Sequence, residues 1–295
     1  MSHNDVIVIG AGPGGLATGL QLIRYGIKTQ IFEQDKIGGL LVNANLVENY
    51  PGFPDGIPGS DLVRLFEEHA RANSLQITPE RVIGLNHNEN RFEVRTSQNV
   101  YQSQIVVIAT GTKPRKFTGL KIPEQFINQV LYEVYPVLTL EGRRIAIVGA
   151  GDAAFDYAMN LSRKNKVMIL NHGEQIKCLP LLWDRASASP NISYHPHTRI
   201  SKLTSSDDLE MCIECITPDG IKTIKVDLLI GAIGRDPQLD FLSGNFHQKA
   251  IQLESSGELY YVGDVANGLY RQTSIAVGDG ILAAMRIYRH LEEKV

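Results

Sequence analysis

Residues 6–33 constrain this chain more than any other stretch. They read as a short β-branched run (residues 6–9), a glycine cluster, a helical pattern through Leu16, Leu20 and Ile23, then Ile31-Phe32 ending on Glu33. An apolar run of that length ahead of glycine suits a buried parallel strand. Gly10, Gly12 and Gly15 have the spacing G-x-G-x-x-G. The first permits a tight turn, the second lets backbone approach a pyrophosphate, and the third lets the following helix pack on the strand. The helix then points its first N–H groups at the phosphates, and Glu33 is placed to accept hydrogen bonds from an adenosine ribose. The whole unit predicts dinucleotide binding.

The same pattern recurs later. Residues 144–148 form a second apolar run, followed by Gly149-Ala150-Gly151-Asp152-Ala153-Ala154, a helical pattern to about Ser162, and a strand at 167–170. Gly149 matches Gly10, Gly151 matches Gly12, Ala154 matches Gly15 and Asn171 matches Glu33. Two such units predict two nucleotide sites. Asn171 lacks the carboxylate that repels a 2′-phosphate, which disfavours a simple NADH site. NADPH would want arginines next, and only His172 and Lys177 follow as donors.

Composition narrows the classes. Lys and Arg total 29 against 32 Asp and Glu, a net charge of −3, and no basic stripe appears, so nucleic acid is not an expected partner. No apolar run approaches the ~20 residues of a membrane span. The first strand starts almost at Met1, so no signal peptide is expected. The three cysteines cannot make a disulfide framework, and a cytoplasmic location is expected.

Between and beyond the two units, residues 59–72 read as an amphipathic helix with Ser60 as N-cap. Residues 77–85 and 91–96 read as strands, and 104–109 as an apolar strand running into Ala109-Thr110-Gly111. Further strands are expected at 192–197 and 199–203. A hairpin is expected from 209–217 and 221–226 about Pro218-Asp219-Gly220. A buried strand at 228–233 leads to Gly234-Arg235, and one at 258–262 leads to Gly263-Asp264. A last helix spans about 273–290. His195 and His197 have no evident third ligand, so no metal is expected.

Taken together the chain resembles the low-molecular-weight thioredoxin reductases among the two-dinucleotide-binding flavoproteins. The carriers are the two glycine motifs, Gly38-Gly39, Glu48-Asn49-Tyr50-Pro51-Gly52-Phe53, Ala109-Thr110-Gly111, Ala232-Ile233-Gly234-Arg235, Gly263-Asp264-Val265 and Arg271-Gln272. The resemblance implies an α/β fold of two Rossmann-like, three-layer ββα domains, the second inserted into the first. Residues 1–113 plus 236–295 would bind FAD, 114–235 would bind NAD(P)H, and the assembly would be a homodimer. It implies FAD contacts from Gly10, Gly12, Gly14, Gly15, Glu33, Gly38, Gly39, Leu40, Leu41, Asn49 and Val82. Ala109, Thr110, Gly111, Gly263, Asp264, Arg271 and Gln272 would complete that set. Gly149, Gly151, Asp152, Ala153, Asn171, His172, Lys177, Gly234 and Arg235 would serve the second dinucleotide. Asp264 would accept from a ribityl hydroxyl. The positive end of the last helix would face the flavin N1/O2 edge.

The chain departs from that family where the family does its thiol chemistry. Counting back from Gly149, the positions of the family's C-x-x-C hold Tyr132 and Tyr135, which either pack between domains or stack on a flavin or nicotinamide ring. A C-x-x-C does occur at Cys212 and Cys215, but in a strand those side chains point to opposite faces, roughly 10 Å apart. Cys178 stands alone. Leu40 and Leu41 replace residues that are usually polar near the flavin, so the family's redox potential does not carry over. The expected function is an FAD-dependent oxidoreductase without the redox disulfide. It would take electrons from NAD(P)H or from a carrier such as ferredoxin, as in ferredoxin-NADP reductase-like relatives, and pass them to an unidentified acceptor. The alternatives are disulfide chemistry at Cys212 and Cys215 or Cys178, a second FAD in the second pocket, and a non-catalytic flavin-binding sensor.

Overall fold

The computed structural model describes residues 3–88 and 90–293. It begins with β1 (His3–Ile9), α1 (Pro13–Arg24), β2 (Thr29–Phe32) and α2 (Gly59–Ala72). β3 (Ile77–Thr78), β4 (Val82–Asn88), β5 (Arg91–Thr96), β6 (Val100–Ile108) and β7 (Thr112–Pro114) follow. Next come β8 (Val130–Leu131), β9 (Arg144–Val148), α3 (Asp152–Leu161), β10 (Lys166–Leu170), α4 (Pro180–Ser187) and β11 (Ile192–His195). After these lie β12 (Arg199–Ser205), β13 (Met211–Thr217), β14 (Gly220–Val226) and β15 (Leu228–Gly231). The chain closes with β16 (Arg235–Pro237), α5 (Gly244–Ser255), β17 (Leu259–Tyr261) and α6 (Thr273–Glu292).

Two compact units result. One comprises Met1–Val42, Val47–Lys113 and Asp236–Val295, the other Asn43–Leu46 and Pro114–Arg235. The short segment 43–46 therefore belongs with the second unit, although the chain on both sides of it belongs to the first.

In the first unit β1 pairs in parallel with β2 and β6, β17 adds in parallel to β6, and β5 and β4 continue antiparallel. Val6, Ile7 and Val8 are wholly buried, because this strand is covered on both faces. Val6 and Val8 pack with Leu16 and Leu22 of α1 and Ile287 of α6. Ile7 and Ile9 pack with Phe92 and Val94 of β5 and with Phe246 and Leu253 of α5. A period-2 strand feeding two apolar layers is what an unbroken β-branched run requires.

The second unit repeats the plan. Its parallel sheet runs β11-β10-β9-β15-β8. Ile145 and Ile147 face α3 and α4 through Phe155, Leu161 and Ala186. The opposite face, including Ala146 and Leu229, meets the antiparallel sheet β12-β13-β14 through Met211, Ile213, Cys215 and Val226. Each unit is thus a three-layer ββα sandwich of the Rossmann type, and the second interrupts the first.

Local departures from the sequence expectations have physical causes. The expected strand at 192–197 stops at His195, since His197 takes φ +48. The strand expected from Leu209 starts at Met211, because Leu209 sits at φ +60. Ser60 lies inside α2, whose N-cap position is Pro58. Helices α4 and α5 have no counterpart in the sequence reading.

Candidate functional site

The first unit gathers its glycines by close contact. Gly10 has φ +107, and a Cβ there would lie 2.4 Å from the Ala109 carbonyl oxygen. A Cβ on Gly15 would lie 1.9 Å from the Gly10 carbonyl oxygen. The ends of β1 and β6 and the start of α1 therefore converge more tightly than any side chain permits. At Gly12, by contrast, a Cβ would meet nothing within 4 Å. Gly12 is also the N-cap of α1 and has no side chain to bond the first-turn N–H groups. Open space in front of uncapped donors fits a pyrophosphate.

Glu33 is fixed beside this turn. Its Oε2 accepts from the Ala11 N–H at 2.7 Å and its Oε1 from the Asp35 N–H at 3.0 Å. It borders a cavity of about 150 Å³ that Gly10, Val82 and Thr110 also line. Glu80, Arg81, Gln238 and Asp240 add further polar groups to that lining; no motif marks them in the sequence. Glu80 is held from behind, its carboxylate accepting from the Thr96 hydroxyl at 2.6 Å and the Tyr101 hydroxyl at 3.0 Å.

Residues remote in sequence meet here. Gly38 N–H donates to the Ala11 carbonyl at 2.8 Å, and a Cβ on Gly39 would lie 3.5 Å from the Gly12 Cα, so the Gly38-Gly39 turn lies against the glycine loop. Leu41 is buried and Leu40 half-buried. Asn49 Nδ2 donates to Gln272 Oε1 at 2.9 Å, and the Ser274 hydroxyl donates to the Asn49 carbonyl at 3.2 Å. Thr110 and Gly111 are tied to Gln238 by bonds of 2.7 and 3.0 Å. Asp279, in the middle of α6, accepts from the Gly263 N–H and from Asn267 Nδ2. It thereby fixes the Gly263-Asp264 turn, a role that sequence spacing does not reveal.

The second unit has the same turn with a different rim. Gly149 has φ +144, and a Cβ there would lie 2.3 Å from the Ala232 carbonyl oxygen, while a Cβ on Gly151 would meet nothing within 4 Å. Lys177 N–H donates to the Ala150 carbonyl at 2.8 Å, the counterpart of Gly38 on Ala11. Asp152 Oδ1 accepts from the Leu179 N–H at 2.8 Å, and Ala153 is exposed beside it. Asn171, placed in sequence as a ribose contact, is only 5% exposed. Its Nδ2 donates to the Gln175 carbonyl at 3.2 Å and the Tyr194 hydroxyl at 2.9 Å, and its Oδ1 accepts from the Gly173 N–H. That amide builds the loop. His172 and Lys177 are exposed.

Tyr132 and Tyr135, the positions reached by counting back from Gly149, flank Glu133. The Tyr132 hydroxyl accepts from the Phe117 N–H at 3.1 Å, and its ring covers Gly231 so closely that a Cβ there would lie 2.8 Å from it. Tyr132 is packing. Tyr135 is partly exposed, and its N–H donates to Asn43 Oδ1 at 2.9 Å. Between them Glu133 pairs with Arg235 at 3.3 Å. Behind that pair Tyr157 is buried and its phenol is pushed up to about 12, chiefly by desolvation. Asp156, its neighbour on α3, is raised to about 6 by burial although it accepts from the Asn45 N–H at 2.9 Å.

The three thiols are free. Cys212 and Cys215 lie in mid-strand on β13, with Cys212 opposite Thr204 and Lys225 and Cys215 opposite Ile200 and Lys222. A strand rise of ~3.3 Å per residue separates them by far more than the ~4 Å between Cβ atoms of a disulfide. Cys215 is wholly buried, and burial pushes its thiol up to about 11. Burial, with help from Asp152, also raises Cys178. No cluster of three or more His, Cys, Asp or Glu suited to a metal occurs among the described residues.

Two glycine turns, each opening onto a helix N-terminus at the end of a parallel sheet, define a protein of two dinucleotide-binding folds. A family model for pyridine nucleotide-disulphide oxidoreductases matches residues 4–280, and the chain belongs to that family. It is similar to a thioredoxin reductase of Borreliella burgdorferi, 27% identical over 98% of this chain and 92% of that protein. It is also similar to a 34.2 kDa protein in the rubredoxin operon of Clostridium pasteurianum, 26% identical over 98% of each. The crystal structure of T. acidophilum thioredoxin reductase superposes with a TM-score of 0.86 at 27% identity, covering 99% of this chain and 100% of that one. The chain is a flavin-dependent oxidoreductase of the thioredoxin reductase-like kind, with FAD and a pyridine nucleotide as its cofactors.

Proposed function

We propose that the protein passes electrons from a pyridine nucleotide to an acceptor through FAD alone, without a disulfide relay. The observation that carries this reading is the packing of Tyr132. At the expected place of the first relay cysteine stands a phenol whose ring covers Gly231 and whose oxygen is bonded to Phe117. The remaining thiols supply no substitute, because Cys212 and Cys215 are strand residues and Cys178 has no partner thiol.

When bound, FAD supplies two-electron chemistry at its isoalloxazine. The chain's own residues do the rest. Gly10 and Gly12 admit the pyrophosphate to the N-terminus of α1, and Glu33, held by two backbone N–H groups, presents its carboxylate to the adenosine ribose. Asn49 and Gln272 brace one another at the start of α6, whose positive end favours negative charge on the ring edge it faces. Gly149 and Gly151 do for the pyridine nucleotide what Gly10 and Gly12 do for FAD. The apolar Leu40 and Leu41 exclude water from their side of the turn, which works against that negative charge.

The acceptor follows from the missing relay. A flavin without a disulfide hands electrons directly to a small molecule or to a protein carrier. The likeness to a protein in a rubredoxin operon favours a small iron–sulfur carrier on one side of the reaction. A homodimer fits the exposed Leu269 and Tyr270 and the apolar Leu282 and Met285 on α6. The test is a Cys178→Ser, Cys212→Ser, Cys215→Ser triple variant assayed for reduction of a one-electron dye by NADH and NADPH. Turnover within about twofold of the parent is expected; loss of turnover with FAD still bound sinks the reading.

A further inference from the structure

An adenosine ribose carrying a 2′-phosphate needs cationic donors at the end of the second strand of its βαβ unit, where an unphosphorylated ribose needs none. In the second unit that place is the turn after β10, residues 171–177. Asn171 is spent inside the loop on Gln175, Tyr194 and Gly173. Gly173 brings no side chain, and its backbone carbonyl accepts from His197 N–H. Glu174 is exposed and puts a carboxylate on the rim. The one lysine of the turn, Lys177, has its backbone bonded to Ala150 and bridged to Gly151, so its side chain starts from the pyrophosphate end of the site.

We infer that the second dinucleotide site selects the unphosphorylated ribose, NAD(H) over NADP(H), and that Gly173 and Glu174 set this preference. A dianionic 2′-phosphate would meet a carboxylate where it needs a guanidinium, and like charges there cost binding. The absence of an arginine is not forced by crowding, since a Cβ on Gly173 would meet nothing within 4 Å. The inference rests on the reading that the second unit holds a pyridine nucleotide.

Equilibrium dialysis of the FAD-loaded protein against NAD+ and NADP+ tests it without turnover. NAD+ is expected to bind at least about tenfold tighter, a difference of ~1.4 kcal/mol. The Gly173→Arg/Glu174→Arg double variant is expected to keep NAD+ binding and to gain at least about tenfold for NADP+. Equal or tighter NADP+ binding by the parent chain overturns the preference while leaving a pyridine nucleotide site in place. Binding of neither nucleotide at millimolar concentration overturns the site itself. A double variant that retains NAD+ affinity without gaining NADP+ affinity removes these two residues as its determinants.

Discussion

Asp156 shows how a single side chain couples packing to pH. Burial raises its carboxyl from 3.8 to about 6, so the folded chain holds that proton more tightly than the unfolded chain does. The resulting stabilisation is full below about pH 4 and is lost as pH rises through about 6. Asp156→Asn keeps an oxygen for the Asn45 N–H and has no charge to bury. The variant is expected to be more stable than the parent by about 1–3 kcal/mol at pH 7.5, with the gap closing toward pH 5. Urea melts at the two pH values measure it, and a gap that widens toward acid contradicts the assignment.

The thiols follow the same rule of burial. Cys215 at about 11 and the buried Cys212 are expected to stay silent to a disulfide reagent in the native state, leaving Cys178 to react slowly. Fast reaction of two thiols would contradict the strand geometry. At this scale the sequence was informative about glycines and poor about amides. Gly10 and Gly149 could be read because their spacing is dictated by backbone contact. Asn171 could not, because its partner Tyr194 lies on a different strand and only the fold brings them together.

At the scale of elements, the crossing of α1 and α6 sets the geometry of the first site. A Cβ on Gly280 would lie 2.3 Å from the Gly14 carbonyl oxygen and 3.0 Å from the Ala17 Cβ. A Cβ on Gly14 would lie 2.8 Å from Val262 Cγ1. The two helices touch backbone to backbone, which fixes both N-termini relative to β1. Gly280→Ala is expected to cost about 1–3 kcal/mol through overpacking and to weaken FAD retention, both readable from thermal melts with and without added FAD. An unchanged melting temperature would show that the crossing is looser than described.

The strands and the opening helices were legible from period and punctuation, but α4 and α5 were not. Among the residues of α5 whose burial is described, Phe246, Ala250 and Leu253 are buried, while Ile251 is 75% exposed. An apolar residue on the wet face blurs the helical stripe. Asp279 was invisible for a different reason: its role depends on α6 lying beside the Gly263 turn. The site's outline was therefore in the sequence, and its supporting contacts were not.

At the scale of the whole molecule, the chain joins two copies of one ββα design and changes the second. Both turns keep the open space at the N-cap glycine, at Gly12 and at Gly151. In the proposed reading Tyr132, Glu133 and Tyr135 take the place of the thiol relay; Tyr132 covers Gly231 and Glu133 pairs with Arg235. The repeat was evident in the sequence because glycine spacing survives divergence. The contact of Tyr132 with Gly231 was not, since a tyrosine there reads as packing, the slightly favoured reading, or as ring stacking. One FAD per folded chain is expected on acid release of the flavin; two would place a flavin in the second unit.

In the proposed reading FAD is the sole redox centre of this chain. Anaerobic titration of the FAD-loaded protein with dithionite counts the electrons directly. Full bleaching at two electrons per FAD, with no further uptake, is the expected result. Uptake of four electrons per FAD would reveal a redox-active disulfide and overturn that reading.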